Sequence, residues 1–167
     1  MAKQKKHWLF KTEPTTYSIH DLAKEPKKTT CWEGVRNYQA RNMLRDDVQK
    51  GDAVLLYHSG AKPPAAVGTA SVARAGYPDH YAWNPKSKYY DDKSDEDNPR
   101  WFMVDVKLDR IFAQPVTLPE LREMKPLAKM VLLRKGSRLS IQPVTAKEFE
   151  AIVKRSGMNP TIKRSHS

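Results

Sequence analysis

Trp101-Phe102-Met103-Val104-Asp105-Val106-Lys107-Leu108-Asp109-Arg110-Ile111 alternates between two characters. Phe102, Val104, Val106 and Leu108 fall on one side of an extended chain, and Asp105, Lys107 and Asp109 on the other. A period of two is the pattern of a strand with one face in a core and one in water. Upstream, Ala53-Val54-Leu55-Leu56-Tyr57 is a continuous apolar run of strand length, set off by the turn Lys50-Gly51-Asp52. Residues 65–73 alternate again but with little polarity on either face, and Gly68 within them marks a bulge or a close approach by another backbone or ligand. Residues 77–99, rich in turn formers, aromatics and acids, read as a long surface loop.

Further strands are expected at residues 7–11, 29–33 and 138–142, the last ended by Pro143. Helices fill the gaps. Ser18-Ile19-His20-Asp21 is a capping-box start for a short helix that stops before Pro26. Residues 37–47 place Ala40, Met43 and Leu44 on one helical face, with Val48 just beyond. Thr117-Leu118-Pro119-Glu120 opens another short helix, residues 127–133 read as one more, and Thr145-Ala146-Lys147-Glu148 caps a helix running to about residue 154. Short strands at turn-rich spacing with helices between them fit an α+β fold, a small mixed barrel or strongly curved sheet. A doubly wound parallel sheet fits poorly, because long strand–helix alternation is missing.

The length of 167 residues suits one domain with a basic N-terminal extension at residues 1–6 and a polar, basic tail from residue 156, expected to fray. No apolar run approaches the roughly 18 residues a membrane span needs, and Trp8-Leu9-Phe10 is too short for a secretory signal. The expectation is an intracellular protein with no membrane partner. The single cysteine, Cys31, agrees with a reducing compartment and offers no multi-cysteine zinc site; in a strand it reads as a small buried hydrophobe.

Thirty Lys and Arg against nineteen acids give a net charge of +11, a field that draws in polyanions chiefly through their phosphates. Charge alone does not separate nucleic-acid binding from simple solubility. The densest candidate for recognition is Trp32-Glu33-Gly34-Val35-Arg36-Asn37-Tyr38-Gln39-Ala40-Arg41-Asn42. Aromatic faces stack on bases, while amides and guanidinium groups read base edges or hold phosphate. The same string also reads as a helix start with a core Trp and a solvated Arg face.

Catalytic patterns are poor. His58 and Ser59 are adjacent on a strand, so they point to opposite faces and make a poor base and nucleophile pair; no G-x-S-x-G elbow exists. Asp91, Asp92, Asp95, Glu96 and Asp97 lack the order of a calcium loop, and the five histidines are scattered. No phosphate-cradling Walker loop and no G-x-G-x-x-G is present. No enzyme activity, cofactor or metal is expected.

Taken in order, Lys11-Thr12-Glu13-Pro14, the Trp32–Asn42 string, Tyr57-His58-Ser59, Tyr77-Pro78-Asp79, Trp101, Val104-Asp105-Val106 and Arg138-Leu139-Ser140-Ile141-Gln142-Pro143 resemble the EVE domain family over residues 7–153. The resemblance implies a PUA-like fold, a small closed or nearly closed β-barrel of about five to six strands with helices around it, related to the YTH, ASCH and SRA-like readers. It implies a domain over residues 7–155 and a non-catalytic reader of DNA or RNA that takes up a modified and possibly flipped base, with modified cytosine the suggested target; a monomer is expected, though the sequence does not itself give the oligomeric state. The location it implies is cytoplasmic for a bacterial protein and nuclear for eukaryotic relatives. The pocket it implies has Lys11, Thr12 and Glu13 on one wall and Trp32, Gly34, Val35, Arg36 and Asn37 on another. Tyr57, His58 and Ser59 stand at the barrel mouth, and Arg138, Leu139 and Ser140 close the set. Trp32 would stack, and Asn37 and Ser59 would read polar edges. Trp83, Tyr89 and Tyr90 either fold over the pocket or pack on the barrel. Two other readings stay open: an RNA-processing nuclease using His58, Glu13 and Lys11, and a small-molecule pocket.

Overall fold

Six strands form one mixed sheet in the order β2-β5-β4-β3-β1-β6. They are β1 (His7–Thr12), β2 (Thr29–Cys31), β3 (Ala53–His58), β4 (Ala65–Pro78), β5 (Phe102–Thr117) and β6 (Ile141–Val144). This computed structural model describes residues 5–136 and 138–157. Strands β1 and β3 pair in parallel and every other neighbour is antiparallel. The helices are α1 (Ile19–Ala23), α2 (Tyr38–Asn42), α3 (Leu118–Glu123) and α4 (Ala146–Arg155). None of them, among the described residues, is long and apolar enough to cross a membrane.

The apolar run of β3 is continuous because the strand is covered on both faces. Val54 and Leu56 enter one cluster with Phe10, Val104, Val106 and Trp32. Leu55 and Tyr57 enter a second cluster with Leu9, Phe112, Leu121 and Ile152. The sheet is strongly curled. Trp32 follows β2 and Phe10 lies on β1, with three strands between them in the sheet order, yet their ring centroids are 5.6 Å apart. A flat sheet would hold those strands roughly 19 Å apart. Gly68 sits at a register shift and accepts no side chain, since a Cβ there would lie 2.3 Å from the Arg110 carbonyl oxygen and 2.4 Å from Ile19 Cδ1.

The two capping boxes that the sequence predicts form at Ser18/Asp21 and Thr145/Glu148, and the helix start at Thr117 closes a third with Glu120. The helix expected over residues 37–47 divides into α2 and a wider π turn at Met43–Asp47, with Ala40, Leu44 and Val48 buried. Residues 127–133 are not a helix but two separate 3-10 turns, Lys125–Leu127 and Val131–Leu133. Leu127 and Met130 are both pinned in the second core cluster, and their three-residue spacing suits a tighter winding. The last strand starts three residues later than expected and runs through Pro143. Because β6 is an edge paired only with β1, a missing N–H on its open side disrupts no ladder. The loop expected over residues 77–99 is partly internal, for Asp79, Ala82 and Ser94 are buried. Ser156, expected in a frayed tail, is buried and donates its hydroxyl to the Val153 carbonyl. Residues 1–4 of the N-terminal extension and residues 158–167 of the tail lie outside the described residues.

Candidate functional site

A cavity of about 640 Å³ opens where the end of β1, the exit of β2 and the loop after β4 converge. That volume is in the range of small-ligand sites. Lys11, Thr12 and Glu13 line it from the β1 side, and Trp32, Gly34, Val35 and Arg36 from the β2 side, with Ser140 completing the wall. Asn37, Tyr57, His58, Ser59, Arg138 and Leu139 do not line it.

The reasons are local. Asn37 is the N-cap of α2, its Oδ1 accepting the Ala40 N–H at 2.9 Å, so that oxygen is already committed. Tyr57 alternates onto the second core cluster, on the other face of the sheet. His58 is buried and its Nε2 accepts the Ile19 N–H at 3.1 Å. Burial holds the His58 imidazole below the usual histidine range, with nearby His20 adding to the effect. Ser59 is half-buried and ties its N–H to the Thr12 carbonyl. Arg138 is exposed, and Leu139 packs against the cluster that contains Trp32. The trio His58, Glu13 and Lys11 is therefore not assembled in one cavity.

Trp32 serves the wall and the core at once. It is only 8% exposed, its ring packs near Phe10 and edge-on to Tyr17 at 6.2 Å, and its backbone N–H donates to the Val104 carbonyl at 2.7 Å. Gly34 follows with φ at +86°, and its missing side chain admits the Tyr89 ring, which would lie 2.5 Å from a Cβ there. Tyr89 thus joins the wall from the long loop, together with Tyr81 and Lys88. Trp83 is half-buried outside the cavity, and Tyr90 is largely exposed.

Arg36 is the clasp of this loop rather than a free phosphate ligand. Its Nη2 and Nε donate to the Tyr89 carbonyl at 2.6 and 3.3 Å, and its Nη1 donates to Asp79 Oδ2 at 3.0 Å and to the Val35 carbonyl. Its guanidinium also stands 5.6 Å from the Tyr89 ring centre and 5.3 Å from that of Trp101. Asp79, fully buried, accepts the Gly34 and Tyr81 N–H groups as well.

The cations left to meet a ligand are Lys11 and Lys88, neither of which forms an ion pair among the described residues. Burial pulls the Lys11 amine below its ordinary range. Cys31 is half-buried in the wall, and burial with the nearby Glu33 carboxylate pushes its thiol up to about 11. Burial and a hydrogen bond to Glu25 hold the Tyr17 phenol well above its ordinary range. Among the described residues no group of three or more His, Cys, Asp or Glu side chains could hold a metal ion.

Sequence reasoning did not make Glu33 or Asp79 site residues, though both lay inside quoted strings, and it left Tyr89 open between the pocket and the barrel. The contacts that place Asp79 and Tyr89 on the wall span 43 to 53 residues.

The EVE domain pattern matches residues 6–155. This chain belongs to the EVE domain family. It is 40% identical over 172 aligned positions to human thymocyte nuclear protein 1, covering 93% of this chain and 76% of that protein. A crystal structure of human THYN1 protein in complex with 5-methylcytosine containing DNA superposes with a TM-score of 0.86 at 40% identity, covering 93% of this chain and 100% of the other. A hypothetical protein from Leishmania major matches with a TM-score of 0.86 at 42% identity, over 92% of this chain and 96% of that one. The YTH domain of Zygosaccharomyces rouxii MRB1 protein, solved with N6-methyladenosine RNA, shares the fold at a TM-score of 0.53 and 14% identity, over 98% of this chain and 92% of its own. The EVE chain is thus α+β with a PUA-like fold, as the sequence implied.

Proposed function

We propose that this EVE chain is a non-catalytic, monomeric reader of nucleic acid that admits one modified base, such as 5-methylcytosine, into the cavity beside Trp32. The observation that carries this reading is the complex of human THYN1 with 5-methylcytosine containing DNA, a protein whose sequence and fold are similar over nearly the whole chain. The cavity supports it, with an aromatic floor at Trp32, a second ring at Tyr89 and the ammonium groups of Lys11 and Lys88, which form no ion pair among the described residues. The net charge of +11 supplies the attraction that brings a polyanion to the cavity. The human relative is named thymocyte nuclear protein 1, and the proposed location is the nucleus in a eukaryotic cell and the cytoplasm in a bacterial one. Catalysis is not part of the proposal: His58 does not line the cavity, and its Nε2 is engaged by the Ile19 N–H.

The test measures affinity by fluorescence anisotropy for DNA and RNA oligonucleotides carrying 5-methylcytosine or cytosine at one position, across a salt series. The expected result is salt-sensitive binding with about tenfold preference for the modified base. Trp32→Ala is a blunt probe because Trp32 is also core; Lys11→Met keeps the aliphatic stem and removes only the charge. That variant should weaken binding of both probes and lower its salt dependence while leaving the preference between them, because cytosine and 5-methylcytosine share the acceptors that a Lys11 donor meets. Equal affinity of the wild type for modified and unmodified probes in both polymers would overturn the reading.

A further inference from the structure

The cavity wall contains three carboxylates, and they are not equivalent. Glu25 is taken, accepting the Tyr17 hydroxyl at 2.7 Å. Glu13 is exposed at the rim. Glu33 is half-buried, and its only hydrogen-bonding neighbour among the described residues is the weak thiol donor of Cys31, at 3.7 Å from Oε1. No Lys or Arg pairs with it among the described residues.

The backbone on either side of Glu33 is fixed. Trp32 N–H is bonded to Val104 on β5, and Gly34 N–H to the buried Asp79. A half-buried carboxylate on an anchored backbone, beside an aromatic floor and without a strong donor, is an acceptor waiting for one. From the β1 side of the cavity Lys11 supplies a donor that forms no ion pair among the described residues.

From this arrangement we infer that Glu33 is a specificity-determining residue that accepts a hydrogen bond from the exocyclic amino group of the bound base. The cavity therefore selects bases that carry an amino group and rejects thymine and uracil. The inference rests on the base-reading function proposed above. An acceptor at Glu33 and a donor at Lys11 match the 4-amino group and the ring acceptors of cytosine. Thymine is the informative competitor, since it has the methyl group of 5-methylcytosine and differs at position 4 and at the N3 proton. Its 4-oxo group would face the Glu33 carboxylate, acceptor against acceptor.

The experiment compares wild type, Glu33→Gln and Glu33→Ala on oligonucleotides of one sequence carrying 5-methylcytosine, cytosine or thymine at a single position, each single-stranded and as its matched duplex. Wild type should bind 5-methylcytosine at least about tenfold more tightly than thymine. Glu33→Gln, whose amide can donate to the 4-oxo group, should bring the two within about threefold. Glu33→Ala should also lose the discrimination, without a gain for thymine. Retained low-salt binding to an unmodified probe shows that the variants are folded. Wild-type discrimination surviving in both variants, or a wild type that binds thymine as well as 5-methylcytosine, overturns the role of Glu33. Cytosine binding as tightly as 5-methylcytosine, with thymine still rejected through Glu33, overturns the modified-base reading and leaves Glu33 standing. Failure to bind any probe at low salt overturns both.

Discussion

Replacing Asp79 by Ala should cost more than any exposed charge in this protein, because its two oxygens organise the cavity wall from a fully buried position. They accept the Gly34 N–H at 2.9 Å, Arg36 Nη1 at 3.0 Å and the Tyr81 N–H at 3.0 Å. Hydrogen bonds to a charged acceptor are worth about 1.5–3 kcal/mol each, and orphaning one member of a buried ion pair costs about 3–5 kcal/mol. The Arg36 side chain retains 23% of its exposure and can recover some solvation, so the low part of the combined range applies. The expected loss is about 3–5 kcal/mol, out of a total stability of about 5–15 kcal/mol for a domain of this kind. For a chain of this length that lowers the melting temperature by roughly 6–20 °C.

Asp79→Asn should lose less. Its one oxygen still serves one side, while its amide NH₂ faces donors on the other. Urea unfolding followed by circular dichroism gives the stability change. A double-mutant cycle with Arg36→Ala isolates the pair, with an expected coupling of about 1–3 kcal/mol. A loss below about 1 kcal/mol for Asp79→Ala would refute the argument that this carboxylate holds the loop to the wall.

Two further outcomes follow from titrating groups. The folded His58 titrates below its unfolded counterpart, so the unfolded chain binds the proton more tightly; stability is full above about pH 6.5 and falls as pH drops toward the folded value. His58→Gln, which keeps an acceptor for the Ile19 N–H, should flatten part of that acid-side slope in unfolding curves from pH 7.5 to 5, with His7 contributing the remainder in the same direction; an unchanged slope would contradict it. The Cys31 thiol, raised from 9.0 to about 11, should react with iodoacetamide at pH 8 roughly 100-fold more slowly than an unperturbed thiol, and at the ordinary rate once the chain is unfolded in urea.

The elements readable from the sequence were those whose signal is local. Ser18, Thr117 and Thr145 each carry an acidic residue three positions on, and each forms its capping box because the bond closes within one turn. The alternation of β5 and the doubly covered run of β3 were equally plain, since burial on one or two faces writes itself directly into residue order. Residues 127–133 misled because apolar positions three apart serve an α-helix and a 3-10 turn alike, and only packing against the second core decided between them. Pro143 was read as a stop because an edge strand cannot be told from a central one before the sheet order is known. The candidate site divided the same way. Lys11, Thr12, Glu13, Trp32, Gly34, Val35, Arg36 and Ser140 meet in one cavity, but Asn37 and His58 are committed to helix starts.

The sequence alone determined the class of this protein. Its charge, its strand and capping patterns and its EVE strings are properties of residues close together in the chain, and they need no coordinates to be read. What only the tertiary structure decided is which side chains are free. Arg36 looks like a phosphate ligand until Asp79 and the Tyr89 carbonyl take up its donors, and Glu33 stands out only once no Lys or Arg among the described residues is seen to pair with it. A side chain's availability depends on partners brought in from distant segments by the curl of the sheet, and residue order does not record who they are.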